Sequence, residues 1–168
     1  MTVLSDFRIE KDRFFSEDSQ SPLSMKQKAS FTGLSYFPEN SALRMESAVE
    51  RFAEQDEIKI QTSTGDIRYF QRYGRFEINI EGHVEALTIY LNEFGYFLPF
   101  VDGLAGIETY PSGRYLEPEQ LANGKFLIDF NYAYNPYCAY NDSYSCPLTP
   151  RENHIKIPIR AGERMFPH

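Results

Sequence analysis

Between Asp102 and Cys146 the chain gathers side chains that can do chemistry: Asp102, Glu108, Arg114, Asp129, Asn131, Asn135, Cys138 and Cys146, interleaved with tyrosines. Seven of the twelve tyrosines (Tyr110, Tyr115, Tyr132, Tyr134, Tyr137, Tyr140 and Tyr144) fall within 35 residues. A tyrosine joins an apolar ring to a polar tip, and such rings with a few placed polar groups build both small-molecule pockets and protein interfaces. A guanidinium takes a carboxylate or phosphate in a two-pronged hydrogen bond, so Arg114 is the candidate anchor for an anionic metabolite. An internal bridge from Arg114 to Glu108 or Asp129 suits the same geometry.

The candidate ligand-binding set is therefore Arg114, Glu108, Tyr110, Tyr115, Asp129, Asn131, Asn135 and Cys138. Asp129 and Asn131 flank Phe130 at the end of a strand-like run, where their side chains can project into a cleft or tie down the following loop by Asx-type hydrogen bonds. A second reading is a hydrolase-like enzyme that uses Cys138 with His154, or a carboxylate from Asp102, Glu108 or Asp129. A third is a module that forms a homodimer through its tyrosines. The intervals Cys138-x7-Cys146-x7-His154 lack the short C-x2-4-C pairs of structural zinc sites, so no metal is expected. No glycine-rich phosphate loop and no G-x-S-x-G elbow occurs, and no cofactor is expected.

Glu108-Thr109-Tyr110-Pro111-Ser112-Gly113-Arg114-Tyr115-Leu116, then Asp129-Phe130-Asn131-Tyr132-Ala133-Tyr134-Asn135-Pro136-Tyr137-Cys138-Ala139-Tyr140, then Cys146-Pro147 and Ile159-Arg160-Ala161-Gly162-Glu163 resemble the motifs of the DUF1684 family. The resemblance extends upstream through Phe31-Thr32-Gly33-Leu34-Ser35-Tyr36-Phe37-Pro38 and so covers most of the chain. Thr149-Pro150, where the family more often has a run of prolines, and Leu104-Ala105-Gly106 depart from the pattern. The family is one of unknown function, so the resemblance implies a compact β-rich domain and no particular reaction. It also implies a strand over Leu43–Val49, where periodicity alone fits a helix equally well.

The elements that must position these residues read as mainly β. Ile58 and Ile60, Ile67 and Tyr69, Phe76, Ile78 and Ile80, then Val84–Leu91, alternate with polar neighbours across turns at Thr64-Gly65-Asp66, Glu81-Gly82-His83 and Asn92–Gly95. Short hairpin-linked strands predict an antiparallel β-sandwich or barrel. Residues 124–130 add a strand, and Ile155, Ile157 and Ile159 predict a last one, at an edge because Pro158 has no N–H to give. At the N-terminus Ser5 and Ser21-Pro22 are start signals for two short helices, over 5–16 and up to Ala29. The expected organisation is a single domain over 1–168, with residues 1–30 as helical decoration on a β-rich body over 31–168.

Composition bounds what such a domain can do. Of 168 residues 42% are hydrophobic and 24% charged, which excludes a disordered chain. The net charge of −7 hides no basic block: residues 1–59, 60–107 and 108–168 each carry more acidic than basic groups. Nucleic acid and anionic membrane surfaces are poor partners for such a chain. The start, Met-Thr-Val-Leu-Ser-Asp, has no basic and apolar leader pattern, so a cytoplasmic location with reduced cysteines is expected.

Overall fold

A computed structural model describes residues 2–167. Helix α1 (Val3–Glu17) starts at a reciprocal capping box, with Thr2 Oγ1 accepting the Ser5 N–H at 3.0 Å and Ser5 Oγ accepting the Thr2 N–H at 2.8 Å. Ser5 is thus the third helical residue rather than the cap, because Thr2 offers the acceptor one turn earlier. Ser21 does not cap the second helix either. Its hydroxyl donates to Phe15 O at 2.7 Å and accepts the Leu23 N–H at 3.2 Å, closing the exit of α1, and α2 (Met25–Ser30) starts from a second capping box at Ser24 and Gln27.

The body is antiparallel β. Strands β1 (Arg44–Ser47), β2 (Glu50–Arg51), β3 (Glu57–Gln61), β4 (Ile67–Ile80), β5 (His83–Asn92), β6 (Gly95–Phe100), β7 (Arg114–Leu116), β8 (Glu119–Gln120) and β9 (Phe126–Asp129) form two open sheets. One runs β2-β4-β5-β6-β7, with β3 also paired to β4; the other runs β1-β9-β8. Phe76 and Ile78 of β4, Leu87 and Ile89 of β5 and Leu98 and Phe100 of β6 share one core with Phe126 and Ile128 of β9, so the arrangement is a sandwich. The spacing of two along each strand is what sends these residues to one face.

A bulge between Arg72 and Gly74 lets β4 serve two cores. The extra residue shifts the alternation, so Phe70 packs with Ile60 and Tyr90 while Tyr73, Phe76 and Ile78 join the main core. Where β5 and β6 separate beyond the Tyr90–Phe97 pair, the fully buried Asn153 fills the gap. Its carbonyl accepts the Thr88 N–H at 2.8 Å, and its amide donates to Thr88 O at 2.8 Å and Pro99 O at 2.7 Å. Pro99 cannot donate to a neighbouring strand, so a side-chain amide supplies what a ladder would have supplied.

The C-terminal run departs from the expected strand. Ile155, Ile157 and Ile159 are all buried, as alternation predicts, yet no strand extends over them; main-chain pairing is limited to a short parallel contact in which Val101 donates to Asn153 O at 3.0 Å, Ile155 to Val101 O at 2.8 Å and Gly103 to Ile157 O at 3.0 Å. Side chains complete what that short contact leaves open. The Glu85 carboxylate accepts the N–H groups of Lys156 and Ile157 at 2.9 Å, and Asp102 Oδ2 accepts that of Ile159 at 2.7 Å. Arg114 donates to the carbonyls of Ile159, Ala161 and Glu163. Gly162 then turns at φ +78° so close to the 130–133 turn that a Cβ there would stand 2.6 Å from Ala133 O, a fit open only to glycine.

Removing the Arg114 guanidinium strands the buried Asp102 carboxylate and three carbonyls, so Arg114→Met should cost about 3–5 kcal/mol of unfolding free energy. Glu108→Gln, at a surface pair, should cost under about 1 kcal/mol. Urea midpoints measure both. Equal midpoints for Arg114→Met and the parent chain would mean that Arg114 does not hold the run.

Candidate functional site

Arg114 is 1% exposed, and its side chain points into the protein. Nη2 reaches Ile159 O at 2.9 Å and Nη1 reaches Glu163 O at 3.0 Å, with Ala161 O as a third acceptor. Asp102 lies 3.9 Å away and also accepts the Thr109 hydroxyl at 2.7 Å. Burial lowers the guanidinium to about 10 against the pull of Asp102 and Glu163, so it stays charged at neutral pH. With every acceptor inside the protein, Arg114 offers no face to a ligand in an open groove.

Its proposed bridging partners lie elsewhere. Glu108 meets Arg164 at 3.3 Å and Arg160 at 3.7 Å. Asp129 accepts the Asn131 N–H at 3.0 Å and its side-chain amide at 2.8 Å, and Asn131 exchanges hydrogen bonds with the Asn40 main chain at 2.8 and 2.9 Å. This pair is a staple between the end of β9 and the turn before β1. Asn135 donates its side-chain amide to Arg164 O at 3.0 Å and to Tyr140 Oη at 3.3 Å, leaving Oδ1 buried without a hydrogen bond among the described residues.

Glu163 links this interior to the surface. Oε1 accepts the Asn135 N–H at 3.0 Å and the Tyr140 hydroxyl at 2.9 Å, while Oε2 is ion-paired with Lys11 of α1. One buried carboxylate therefore ties α1 to the loop over 133–147. Between these two elements opens a groove of about 690 Å³.

Four of the seven clustered tyrosines, Tyr115, Tyr134, Tyr137 and Tyr144, line it. Their rings meet edge to face, Tyr115 with Tyr134 at 5.8 Å and Tyr137 with Tyr144 at 5.3 Å. Helix α1 supplies Phe7, Glu10, Lys11, Phe14 and Phe15, of which Phe7, Lys11 and Phe14 are spaced i, i+4, i+7 on one face; Glu10 is ion-paired with Arg13 at 2.8 Å. Burial pushes the phenols of Tyr115 and Tyr134 up, so both are neutral donors; Tyr115 donates to Pro147 O and Tyr134 to Glu117. A second cavity of about 270 Å³ shares Arg68, Tyr115, Tyr134 and Pro147 with the groove.

The cation best placed for a ligand here is Arg68 of β4. It is exposed, donates to Ser145 O at 2.6 Å, and among the described residues forms no ion pair. Its position in a polar-alternating strand looked ordinary in the sequence. The i, i+4, i+7 aromatic and lysine spacing in α1 was the one local signal that could have pointed to the groove.

At the end of the same loop lies a thiol cluster. Cys138, half-buried in the turn over Tyr137–Ala139, directs its N–H at Cys146 Sγ, 3.3 Å away, and Tyr110 Oη is 3.9 Å from Cys138 Sγ. The Cys146 thiol donates to Cys138 and so holds it down to about 6 against the effect of burial, with Tyr110 and Ser63 helping. Cys146 is correspondingly pushed up. His154 is exposed, with Nε2 at 3.2 Å from Thr149 O, and among the described residues it makes no hydrogen bond with Cys138. Among the described residues no helix is long and apolar enough to cross a membrane.

A family profile described as "Protein of unknown function (DUF1684)" matches residues 29–164. The solution NMR structure of an uncharacterized protein from gene locus rrnAC0354 of Haloarcula marismortui is similar over 96% of this chain and 91% of that one, at 35% identity and a TM-score of 0.71. No curated protein matches.

The thiol cluster has a measurable signature. Alkylation of Cys138 by iodoacetamide should level off above neutral pH with a midpoint near 6, an apparent value that belongs to the pair. Cys146→Ala removes the main donor and should move the midpoint toward about 8.5. A parent midpoint already near about 8.5 would rule out a shared proton.

Proposed function

We propose that this chain, which belongs to the DUF1684 family, binds a small, flat, anionic metabolite in the tyrosine-lined groove, with Arg68 as the anchor. The observation that carries this reading is the convergence on one open groove of four clustered tyrosines, three phenylalanines of α1 and a guanidinium that forms no ion pair among the described residues. Its volume of about 690 Å³ lies within the roughly 300–1,000 Å³ usual for small-molecule sites. Aromatic edges and faces favour a ring-bearing ligand, and neutral tyrosines impose no repulsion on an anion.

Arg68 takes the place that the sequence suggested for Arg114. A guanidinium with one nitrogen on Ser145 O keeps other donors for a carboxylate or phosphate. Lys11 serves a different purpose: paired to Glu163 and 5.0 Å from the centre of the Tyr134 ring, it fixes the wall rather than the ligand. The reading takes the protein to work in the cytoplasm, where both thiols are reduced at rest.

The test uses naphthalene-2-carboxylate, phenyl phosphate and the uncharged naphthalene-2-carboxamide in calorimetric titrations. Saturable one-to-one binding of an acid, about tenfold weaker for the amide and about tenfold weaker for Arg68→Ala, is expected; that factor corresponds to about 1.4 kcal/mol. The melting temperature of Arg68→Ala should match the parent, because the side chain is exposed. Equal binding of acid and amide, or equal binding by parent and variant, would remove the anionic anchor. A mass of two chains at micromolar concentration, lost on Phe14→Ala, would favour the homodimer use of the same rings.

A further inference from the structure

We propose that Cys138 and Cys146 form a redox couple, in which Cys138 is oxidised by a hydroperoxide and Cys146 resolves the product as an intramolecular disulfide. The two sulfurs belong to the ends of one loop: the Cys138 N–H points at Cys146 Sγ from 3.3 Å, and the Cys146 thiol is within hydrogen-bonding reach of the Cys138 sulfur. Both are free thiols in the structure. Their accessibility differs in the way such a couple needs: Cys138 is half-exposed and Cys146 is buried.

Cys146 is held in place by the β3–β4 turn. Its N–H donates to Ser63 Oγ at 3.1 Å, its carbonyl accepts the Ser63 N–H at 2.9 Å, and Leu148 N–H donates to Gln61 O at 2.9 Å. The attacked and the resolving sulfur thus sit on differently anchored segments, with the exposed Asp142 and Ser143 between them able to absorb the approach. Tyr110 Oη lies 3.9 Å from Cys138 Sγ and can donate to its thiolate.

In the first step the Cys138 thiolate attacks the terminal oxygen of the hydroperoxide, the O–O bond breaks, and the alkoxide leaves as the alcohol after taking a proton from solvent. This leaves Cys138 as a sulfenic acid. The Cys146 sulfur then attacks the Cys138 sulfur, the S–O bond breaks, and hydroxide leaves with the Cys146 proton as water. Two thiols and one hydroperoxide give one disulfide, one alcohol and one water, and a dithiol reverses the change.

The lowered thiol pKa adds little to the first rate. At pH 7 it raises the thiolate fraction by about thirtyfold over an ordinary cysteine, but intrinsic nucleophilicity falls by roughly tenfold over the same shift. What distinguishes the pair is the second step, where a neighbouring thiol is always present. Cys146 also lines the groove, so a disulfide would move one of its walls; the couple itself does not depend on a ligand there.

The experiment treats the reduced full chain with hydrogen peroxide, blocks remaining thiols with N-ethylmaleimide and reads the intact mass. The expected product is a monomer lighter by two hydrogens, unalkylated, and returned to two alkylatable thiols by dithiothreitol. Cys146→Ala should instead accumulate a dimedone-reactive sulfenic acid at Cys138, at least about tenfold more than the parent. Thermal melts confirm that the variant is folded. Disulfide-linked dimers as the main product, a parent chain with Cys146 still alkylatable after Cys138 is oxidised, or equal dimedone labelling of parent and variant would each overturn the proposal.

Discussion

The structure depends on one buried cation. Arg114 on β7 and Asp102 after β6 are taken almost wholly out of water, which costs several kcal/mol for each ion, and a contact at 3.9 Å would not offset that alone. The remaining compensation comes from three main-chain carbonyls on the guanidinium, and from one main-chain amide and the Thr109 hydroxyl on the carboxylate. Only a planar fork can reach three carbonyls of one extended segment, so lysine is no substitute. The C-terminal run is held by these side chains together with short main-chain contacts to Val101 and Gly103 and to Ser35 and Phe37.

The consequence travels outward along a short series of contacts. With the main chain fixed at Ala161 and Glu163, the Glu163 carboxylate is aimed at Lys11, Asn135 and Tyr140. Lys11 sets α1, and Asn135 and Tyr140 set the loop that faces it. The groove is the space between those two elements, so the buried Arg114–Asp102 pair reaches both of its walls through Glu163.

Tyrosine suits these walls where phenylalanine would not. Tyr115, Tyr134 and Tyr140 each bury a ring and give the hydroxyl to a carbonyl or carboxylate, which converts a loop with few backbone partners into an ordered surface. Tyr110 has another use, beside the Cys138 sulfur. The same 138–146 segment bounds the groove at one end and carries the two thiols, so wall geometry and thiol chemistry share a loop.

Period-two alternation and hairpin turns are local properties, and from them the antiparallel β body and the burial of Ile155, Ile157 and Ile159 were legible in the sequence; so were two N-terminal helices, although each starts from a cap, Thr2 or Ser24, other than the serine expected. So was the stretch rich in tyrosine, with Asp129 and Asn131 able to act as a loop staple. The partner of Arg114 was not, because a guanidinium fits a ligand, Glu108, Asp129 or three carbonyls equally well until the chain 45 residues later is placed beside it. Nor was Arg68, which earns its position only when β4 passes under the 144–147 loop. Spacing in sequence decides which face of an element a side chain takes, whereas long-range packing decides what waits on that face, and only the tertiary structure turned the anchor inward and opened the groove beside it.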